Sequence, residues 1–521
     1  MDRLDWIQLI GQVVAVLFVM AFGACIGSLL NVLVYRLPLG LDVVTPTSRC
    51  PSCETYLTWR ENIPVFGWLL LRGKCRFCRS PISPEYPLVE GYVALLWAVV
   101  FLMLYADGGK FLGLDFSAFQ PEWARAGIVT TWPIFLVVLC LFSNLVAMTL
   151  VDAKTCFIPM PLTTVPVVFA VIVHPIAAWW IEHKRGRLPF AAEGWTWAIA
   201  TPGPHSWWWI GASIGGVVGL VLAYALLRFK LIRRSFEDYE AWEKAELAKA
   251  AASPTEAASG EASPAVPAST TETVTAPPPP AEEPPPAPPS PAVQMALRLL
   301  VIAMVLGTVG YLWYRQSWAV GDVLSWGVIV VFPILGLWAL MHVGSQSQTE
   351  PPELWIQYPH ARREMLKELL YLAPAISLAM AGGALALRVA GSEATGGATA
   401  PLWLMALSGV LLGYLIGGGI VWATRIFGSL GFGKEAMGLG DVHMMAAVGA
   451  CIGWTDAVLG FFGAAIVGVM LALLGTVFSG KFRKAMPFGP SLALGTMLVW
   501  FAKPAFEAFL SFLFKAEVNL P

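Results

Sequence analysis

Apolar stretches long enough to cross a bilayer recur along this chain of 521 residues, with charged and polar residues gathered in the intervals between them. A helical span needs about 20 predominantly apolar residues. Runs of that kind predict helices from Trp6 to Tyr35 and over residues 88–105, 133–151, 162–181, 207–227, 295–313, 320–342, 371–389, 402–424, 456–478 and 488–513. The piece from Val442 to Trp454 is shorter, and predicts a tilted span or a half-helix closed by Gly453. The first run is too long for a signal-peptide core and lacks a basic leader and a clear small-residue cleavage pattern, so it predicts a retained anchor.

The polar intervals set the orientation. Residues 36–87 hold Arg36, Arg49, Arg60, Arg72, Lys74, Arg76 and Arg79, and the positive-inside rule assigns such an interval to the cytoplasm. Alternating the spans from there, with 442–454 counted as a crossing, brings Asp152, the Arg228–Arg234 cluster, Lys434 and the Lys481–Lys484 cluster to the same side. Residues 253–293 carry thirteen prolines among Ala, Ser, Thr and Glu. Such a segment buries too little apolar surface to fold, and predicts a cytoplasmic linker that acts chiefly as a spacer. The stretch "PELWIQYPHARREMLKELL" reads equally as an interfacial amphipathic helix or as the charged lead into the next span.

Composition agrees: 57% of residues are hydrophobic and 13% charged, with a mean hydropathy of +0.67. The fold class is an all-α polytopic membrane protein. A net charge of -1 supplies no concentrated basic face for nucleic acid, so no nucleic-acid partner is expected.

Four of the eight cysteines form Cys50-x2-Cys53, twenty-one residues, then Cys75-x2-Cys78. Two such turns can pinch one tetrahedral ion, and a cytoplasmic loop disfavours disulfides, so zinc held by four thiolates is expected. A closed four-sulfur shell leaves no open position for water, which makes the site structural. Cys25, Cys140, Cys156 and Cys451 are expected in core packing.

Two carboxylates stand out. Asp152 ends an apolar span and precedes Ile158-Pro159, expected to start the next helix with proline in its first turn. Asp441 follows Gly438-Leu439-Gly440, where absent side chains let another backbone, such as a substrate strand, approach. Carboxylates at such positions are costly to place, and their default reading is functional, with each other as partners. Two carboxyl groups in one low-dielectric pocket share a proton, so that one activates water while the other acts as acid, which is the chemistry of an aspartic protease.

"GSLLNVLVYRLP" from Gly27, the cysteine loop with "ENIPVFGWLLLRGKCRFC", "YPLVEGY" from Tyr86, Asp152 with Ile158-Pro159, "EAMGLGDVHMMAAVGACIGW" from Glu435 and "MPFGPSLALG" from Met486 together resemble the bacterial prepilin peptidases. These are membrane aspartic proteases of the GxGD class. The resemblance covers roughly residues 20–180 and 402–500. It implies a GxGD helical bundle with a small cytoplasmic zinc-binding loop domain, and a multi-pass enzyme of the bacterial inner membrane. Such an enzyme removes the basic leader of type IV prepilins or type II secretion pseudopilins at the cytoplasmic face. It implies Asp152 and Asp441 as the catalytic pair, Cys50, Cys53, Cys75 and Cys78 as the thiol tetrad, and, in bifunctional members, S-adenosylmethionine-dependent methylation of the new amino terminus. Pilus or secretion-assembly components are further implied partners.

The implied organisation is an anchor (1–35), the tetra-cysteine domain (36–87), a first catalytic half (88–182), an insertion with about four extra spans and the Pro-rich linker near 243–293 (183–401), and a second catalytic half (402–521). His443 stands where the family commonly has Lys, and Met160 where it often has Asp. No glycine-rich nucleotide fingerprint marks a methyl-donor site. A membrane scaffold of a pilus or secretion assembly and a proton-coupled transporter are the alternatives. A transporter needs neither the thiol tetrad nor the glycine-framed loop.

Overall fold

The computed structural model describes residues 3–45, 48–185, 197–252, 324–343, 358–391, 397–479 and 488–521. Among these, nine helices are long and apolar enough to cross a membrane, or ten when one bent pair is counted as a span. The expected span at 295–313, the Pro-rich linker and Lys481–Lys484 lie outside the described residues.

The first half consists of α1 (Arg3–Arg36), the short α2 (Phe66–Leu70) inside the cysteine loop, α3 (Glu85–Tyr105), α4 (Ile128–Thr155) and α5 (Met160–Arg185). Helix α4 is the axis of the bundle, and its most apolar window is 89% buried. Helices α1 and α3 pack closely because Gly23 and Gly27 carry no side chain; a Cβ on Gly27 would stand 2.7 Å from the Glu90 Cα. Helix α5 begins at Met160, one residue after Pro159, so the first-turn proline is Pro161. Between α3 and α4 a two-stranded hairpin, β1 (Lys110–Phe111) with β2 (Leu114–Asp115), pairs antiparallel at the far end of the bundle. Its residues are too few to show as a period-two pattern.

Residues 183–401, the interval expected as an insertion, contribute α6 (Trp207–Arg228), α7 (Tyr239–Ala252), α8 (Phe332–Val343, continuing a π turn at Gly327–Val331) and α9 (Ala361–Ala390). Helix α9 settles the reading of "PELWIQYPHARREMLKELL" from residue 361 onward: the charged residues are the first turns of the spanning helix itself. Gly211, Gly215 and Gly219 of α6 face Gly382, Leu378 and Ala375 of α9 at backbone contact, so their spacing serves close helix packing. Tyr92 on α3 donates to the Pro333 carbonyl at 2.6 Å, which ties α8 into the first half.

The second half is α10 (Leu402–Phe432), α11 (Leu439–Ile452), α12 (Trp454–Ser479), α13 (Phe488–Phe501) and α14 (Lys503–Phe514). The expected half-helix is α11, stopped by Gly453 at φ +95°. The run expected as one span at 488–513 is two helices bent by 82°. Pro504, in the first turn of α14, has no N–H for a bond back across the break, and its ring would clash with the carbonyl four residues earlier.

Candidate active site

Asp152 lies in the last turn of α4, where Cys156 adopts a left-handed conformation (φ 50°) and donates its N–H to the Asp152 carbonyl at 2.8 Å. That cap ends the helix and turns the chain through Phe157 and Ile158 into α5. Asp441 is the third residue of α11, and its carboxylate accepts a hydrogen bond from the backbone of Gly438, the N-cap residue. An acidic third residue bonded back to the N-cap is one half of a capping box. The sequence therefore begins the helix and fixes the carboxylate with the same contact.

Asp152 and Asp441 are 6% and 9% exposed, and the Asp152 charge acts on Asp441. Ile158, 5% exposed, is wedged where three segments meet. A Cβ on Gly440 would lie 3.1 Å from the Ile158 Cβ, and one on Gly489 would lie 3.4 Å from its Cδ1 and 2.5 Å from Asp152 Oδ2. Gly489, at the start of α13, also hydrogen-bonds the Asp152 carboxyl group through its backbone. Asp152 Oδ2 is buried with no hydrogen-bond partner among the described residues. Buried polar atoms are rarely left so, and this one is available to a water or a substrate group.

Of the two motif glycines, Gly440 packs on Ile158, whereas Gly438 meets nothing nearer than Asp441 Oδ2 at 3.8 Å. His443 is half-buried and lines a cavity of about 530 Å³ between α5, α6, α9, α10 and α11, together with Leu439. The sequence reading missed Ile158 as a wedge and Gly489 as a neighbour of Asp152. The signal for Gly489 was the Phe-Gly-Pro opening of α13, a glycine where helix propensity argues against one. It also missed Arg425, a charge inside the apolar run of α10, 1% exposed.

The thiol tetrad is brought together. Two isolated β-bridges, Arg49 with Tyr56 and Lys74 with Pro81, bracket the two Cys-x2-Cys turns. The turns repeat each other in detail: Cys50 N–H bonds the Thr55 carbonyl at 3.0 Å and Cys75 N–H the Ser80 carbonyl at 2.8 Å, while Glu54 and Arg79 take the same left-handed conformation. The four sulfur atoms lie within 4.8 Å of one another and could hold a metal ion. Cys50 and Cys78 Sγ are 3.8 Å apart, and Cys53 and Cys75 Sγ 4.0 Å. A tetrahedron with zinc–sulfur bonds of about 2.3 Å has edges of about 3.8 Å, so the sulfurs are spaced for the ion and not for disulfides. Hydrogen bonding from Thr55 pulls the Cys53 thiol down to about 6, and backbone hydrogen bonds from Cys78 and Phe77 lower Cys75, whereas Cys78, despite a backbone hydrogen bond at Ser80, is pushed up to about 11 by desolvation and by the Cys53 and Cys75 thiols. Of the other cysteines Cys451 is buried and Cys140 half-buried, but Cys25 and Cys156 are exposed. Core packing does not describe those two: Cys25 is on an outer face of α1, and Cys156 is in the turn after α4.

The tetrad domain and the aspartates share one end of the bundle, since Lys154 at the end of α4 pairs with Glu85 at the start of α3, directly after the tetrad. Fold and site together define a polytopic helical membrane protein with two buried aspartates and a four-thiol cluster at one end of the bundle. The chain matches, over residues 21–104, the Bacterial Peptidase A24 N-terminal domain.

It is 51% identical over 80 residues to a prepilin leader peptidase/N-methyltransferase of Myxococcus xanthus, covering 15% of this chain and 24% of that protein. It is 31% identical over 170 residues to one of Klebsiella pneumoniae, covering 32% and 63%. Over 99 residues it is 38% identical to a type 4 prepilin-like proteins leader peptide-processing enzyme of Escherichia coli O78:H11, covering 16% and 35%. The chain thus spans less than two thirds of the length of each of these relatives. No solved structure matches it. The family match takes in the second half of α1, the tetrad and nearly all of α3; both aspartates lie beyond it.

Proposed function

We propose that the protein is a membrane aspartic endopeptidase that removes the leader of type IV prepilins or type II secretion pseudopilins at the cytoplasmic face of the inner membrane. The observation that carries this reading is the pair of buried carboxylates at one end of the bundle, with Asp152 Oδ2 unpartnered among the described residues. The sidedness is supported by the basic residues at that end, among them Arg36, Lys154, Arg228, Arg234 and Lys434.

Asp152 and Asp441 hold one proton between them. The ionised carboxylate takes a proton from water as the oxygen attacks the peptide carbonyl carbon. The protonated carboxyl hydrogen-bonds the carbonyl oxygen, and a proton then passes to the leaving nitrogen as the C–N bond breaks. The pair titrates jointly, so neither residue owns an apparent pKa of the rate profile. Gly438, exposed and with no atom nearer than 3.8 Å to where its Cβ would stand, is the place for a substrate backbone to approach, and Gly440 contributes by seating α11 on Ile158. Cys50, Cys53, Cys75 and Cys78 would hold a structural zinc that stiffens the loop domain.

Methylation of the new amino terminus with S-adenosylmethionine belongs to the same proposal, on the relatives' names. Among the described residues no glycine-rich strand-to-helix turn fits a nucleotide, so no transfer step is assigned to particular side chains. The test is incubation with a prepilin, with and without S-adenosylmethionine, followed by mass measurement. Loss of the leader mass supports the peptidase, and a further methyl mass supports the second activity. An unchanged mass refutes both and favours the scaffold reading.

A further inference from the structure

Arg425 is the most buried cationic residue among the described residues, and its contacts run in two directions. Toward the motif loop, its Nη1 donates to Glu435 Oε1 at 2.5 Å and to the Met437 carbonyl. Met437 is the residue before Gly438, so this bond holds the chain immediately outside the helix that carries Asp441. Toward the inserted interval, its Nε donates to Glu368 Oε1 at 3.1 Å, and its guanidinium carbon lies 5.2 Å from the centre of the Phe236 ring.

Glu368, 3% exposed, is held in turn. Ser235 Oγ donates to its Oε1, and Trp422 Nε1 to its Oε2 at 2.6 Å. Both carboxylate oxygens and two faces of the guanidinium are thereby occupied. Glu368, Ser235 and Phe236 all come from residues 183–401, the interval without counterpart in the family resemblance.

We propose that the inserted interval is a working part of the aspartate site: Glu368 is the buried counter-ion that keeps Arg425 on the Met437 carbonyl, and so sets the position of the Gly438–Asp441 turn. The proposal rests on the aspartic-protease reading above. A buried ion pair is a poor way to gain stability, because apolar residues of the same volume serve as well or better. What apolar residues cannot do is grip a carbonyl and two carboxylates at once, which the planar fork of arginine does. Glu368 and Arg425 are positioning residues; neither is placed against the scissile bond.

The experiment uses the full chain in lipid nanodiscs with a prepilin substrate, and compares wild type, Glu368→Gln, Arg425→Lys and the apolar double variant Glu368→Leu/Arg425→Leu. Two quantities are read: the kinetics of leader removal, and hydrogen exchange of the backbone amides of residues 433–441. All three variants are expected to lower kcat about tenfold or more with KM within about twofold, and to speed exchange in 433–441. The double variant is expected to do so while melting at the wild-type temperature. Wild-type kcat and exchange in the double variant overturn the proposal, as does a loss of kcat that only follows a lower melting temperature with exchange in 433–441 unchanged. If wild type itself cleaves no prepilin, the protease reading fails and the exchange result alone decides whether the insertion holds the loop.

Discussion

Replacing Gly489 by alanine is the sharpest test of the aspartate geometry, because one methyl group is aimed at one carboxylate oxygen. The added Cβ would stand 2.5 Å from Asp152 Oδ2, where ordinary contact begins at 3.4 Å. Either the carboxylate or the start of α13 must move by the difference, about 0.9 Å. Misplacing a reacting group by about 1 Å can cost up to about a hundredfold in rate, so kcat should fall about ten- to a hundredfold, equivalent to about 1.4–2.7 kcal/mol of barrier. Some stability should be lost as well, since a Cβ on the residue before Pro490 is disfavoured in helical backbone, so kcat is read at a temperature well below the melting midpoint of the variant. Gly438→Ala is the control. Its backbone, at φ −71° and ψ 150°, suits any residue, and its Cβ meets only atoms at 3.8 and 3.9 Å. It should keep kcat, with any loss confined to KM through a displaced substrate backbone. Gly440→Ala, at 3.1 Å from the Ile158 Cβ, should fall between the two. Gel-shift kinetics on a prepilin, with melting curves in the same detergent, give all the numbers needed. Wild-type kcat in Gly489→Ala, or equal kcat losses in Gly489→Ala and Gly438→Ala, would refute the placement of the Asp152 carboxylate in the reaction.

Asp152→Asn and Asp441→Asn should each abolish leader removal while the protein inserts and melts as wild type; cleavage at the normal rate by either variant, followed on gels, defeats the paired-carboxylate mechanism. Metal analysis of the purified protein should find about one zinc per chain, and Cys50→Ser should lose most of it; a metal-free wild type with an unchanged melting temperature contradicts the structural site. Gly413→Val should lower the melting temperature and speed exchange along α10 and α11, because a Cβ there runs into the Gly449 carbonyl; an unchanged melt would mean that these helices are not packed backbone to backbone.

The spans were legible because a twenty-residue apolar run has few other readings, and the thiol site because Cys-x2-Cys pairs encode their own geometry. Asp152 and Asp441 stood out only through their chemistry, in that costly charges at span ends demand a reason. What could not be read were contacts between segments far apart in the chain. Ile158 looks like an ordinary aliphatic residue until Gly440 and Gly489 are seen to rest on it. Glu368 sits in a charged lead that reads as solvated, yet it is buried because the end of α10 carries its counter-ion. The bend after Phe501 was written in Lys503-Pro504, but a run of apolar residues on both sides outweighed it.

Helix α11 shows how the fold brings Asp441 to the bundle end without a full crossing. With 14 residues it is about 21 Å long, short of the roughly 30 Å of hydrocarbon. Its C-terminal carbonyls therefore end inside the bundle, where orphan acceptors need donors. The donor is His174, wholly buried on α5. Trp197 Nε1 donates to His174 Nδ1 at 2.9 Å, and an indole can only donate, so the histidine proton is on Nε2. That nitrogen faces the Cys451 carbonyl at 3.2 Å and caps the helix. Residues Trp197 to Ala200, all buried, fill the depth that α11 does not span, and the missing Cβ of Gly453 lets Ile199 and Ala200 close on its end. The position of Asp441 is thus fixed at both ends of its helix, by Arg425 at the entrance and His174 at the exit.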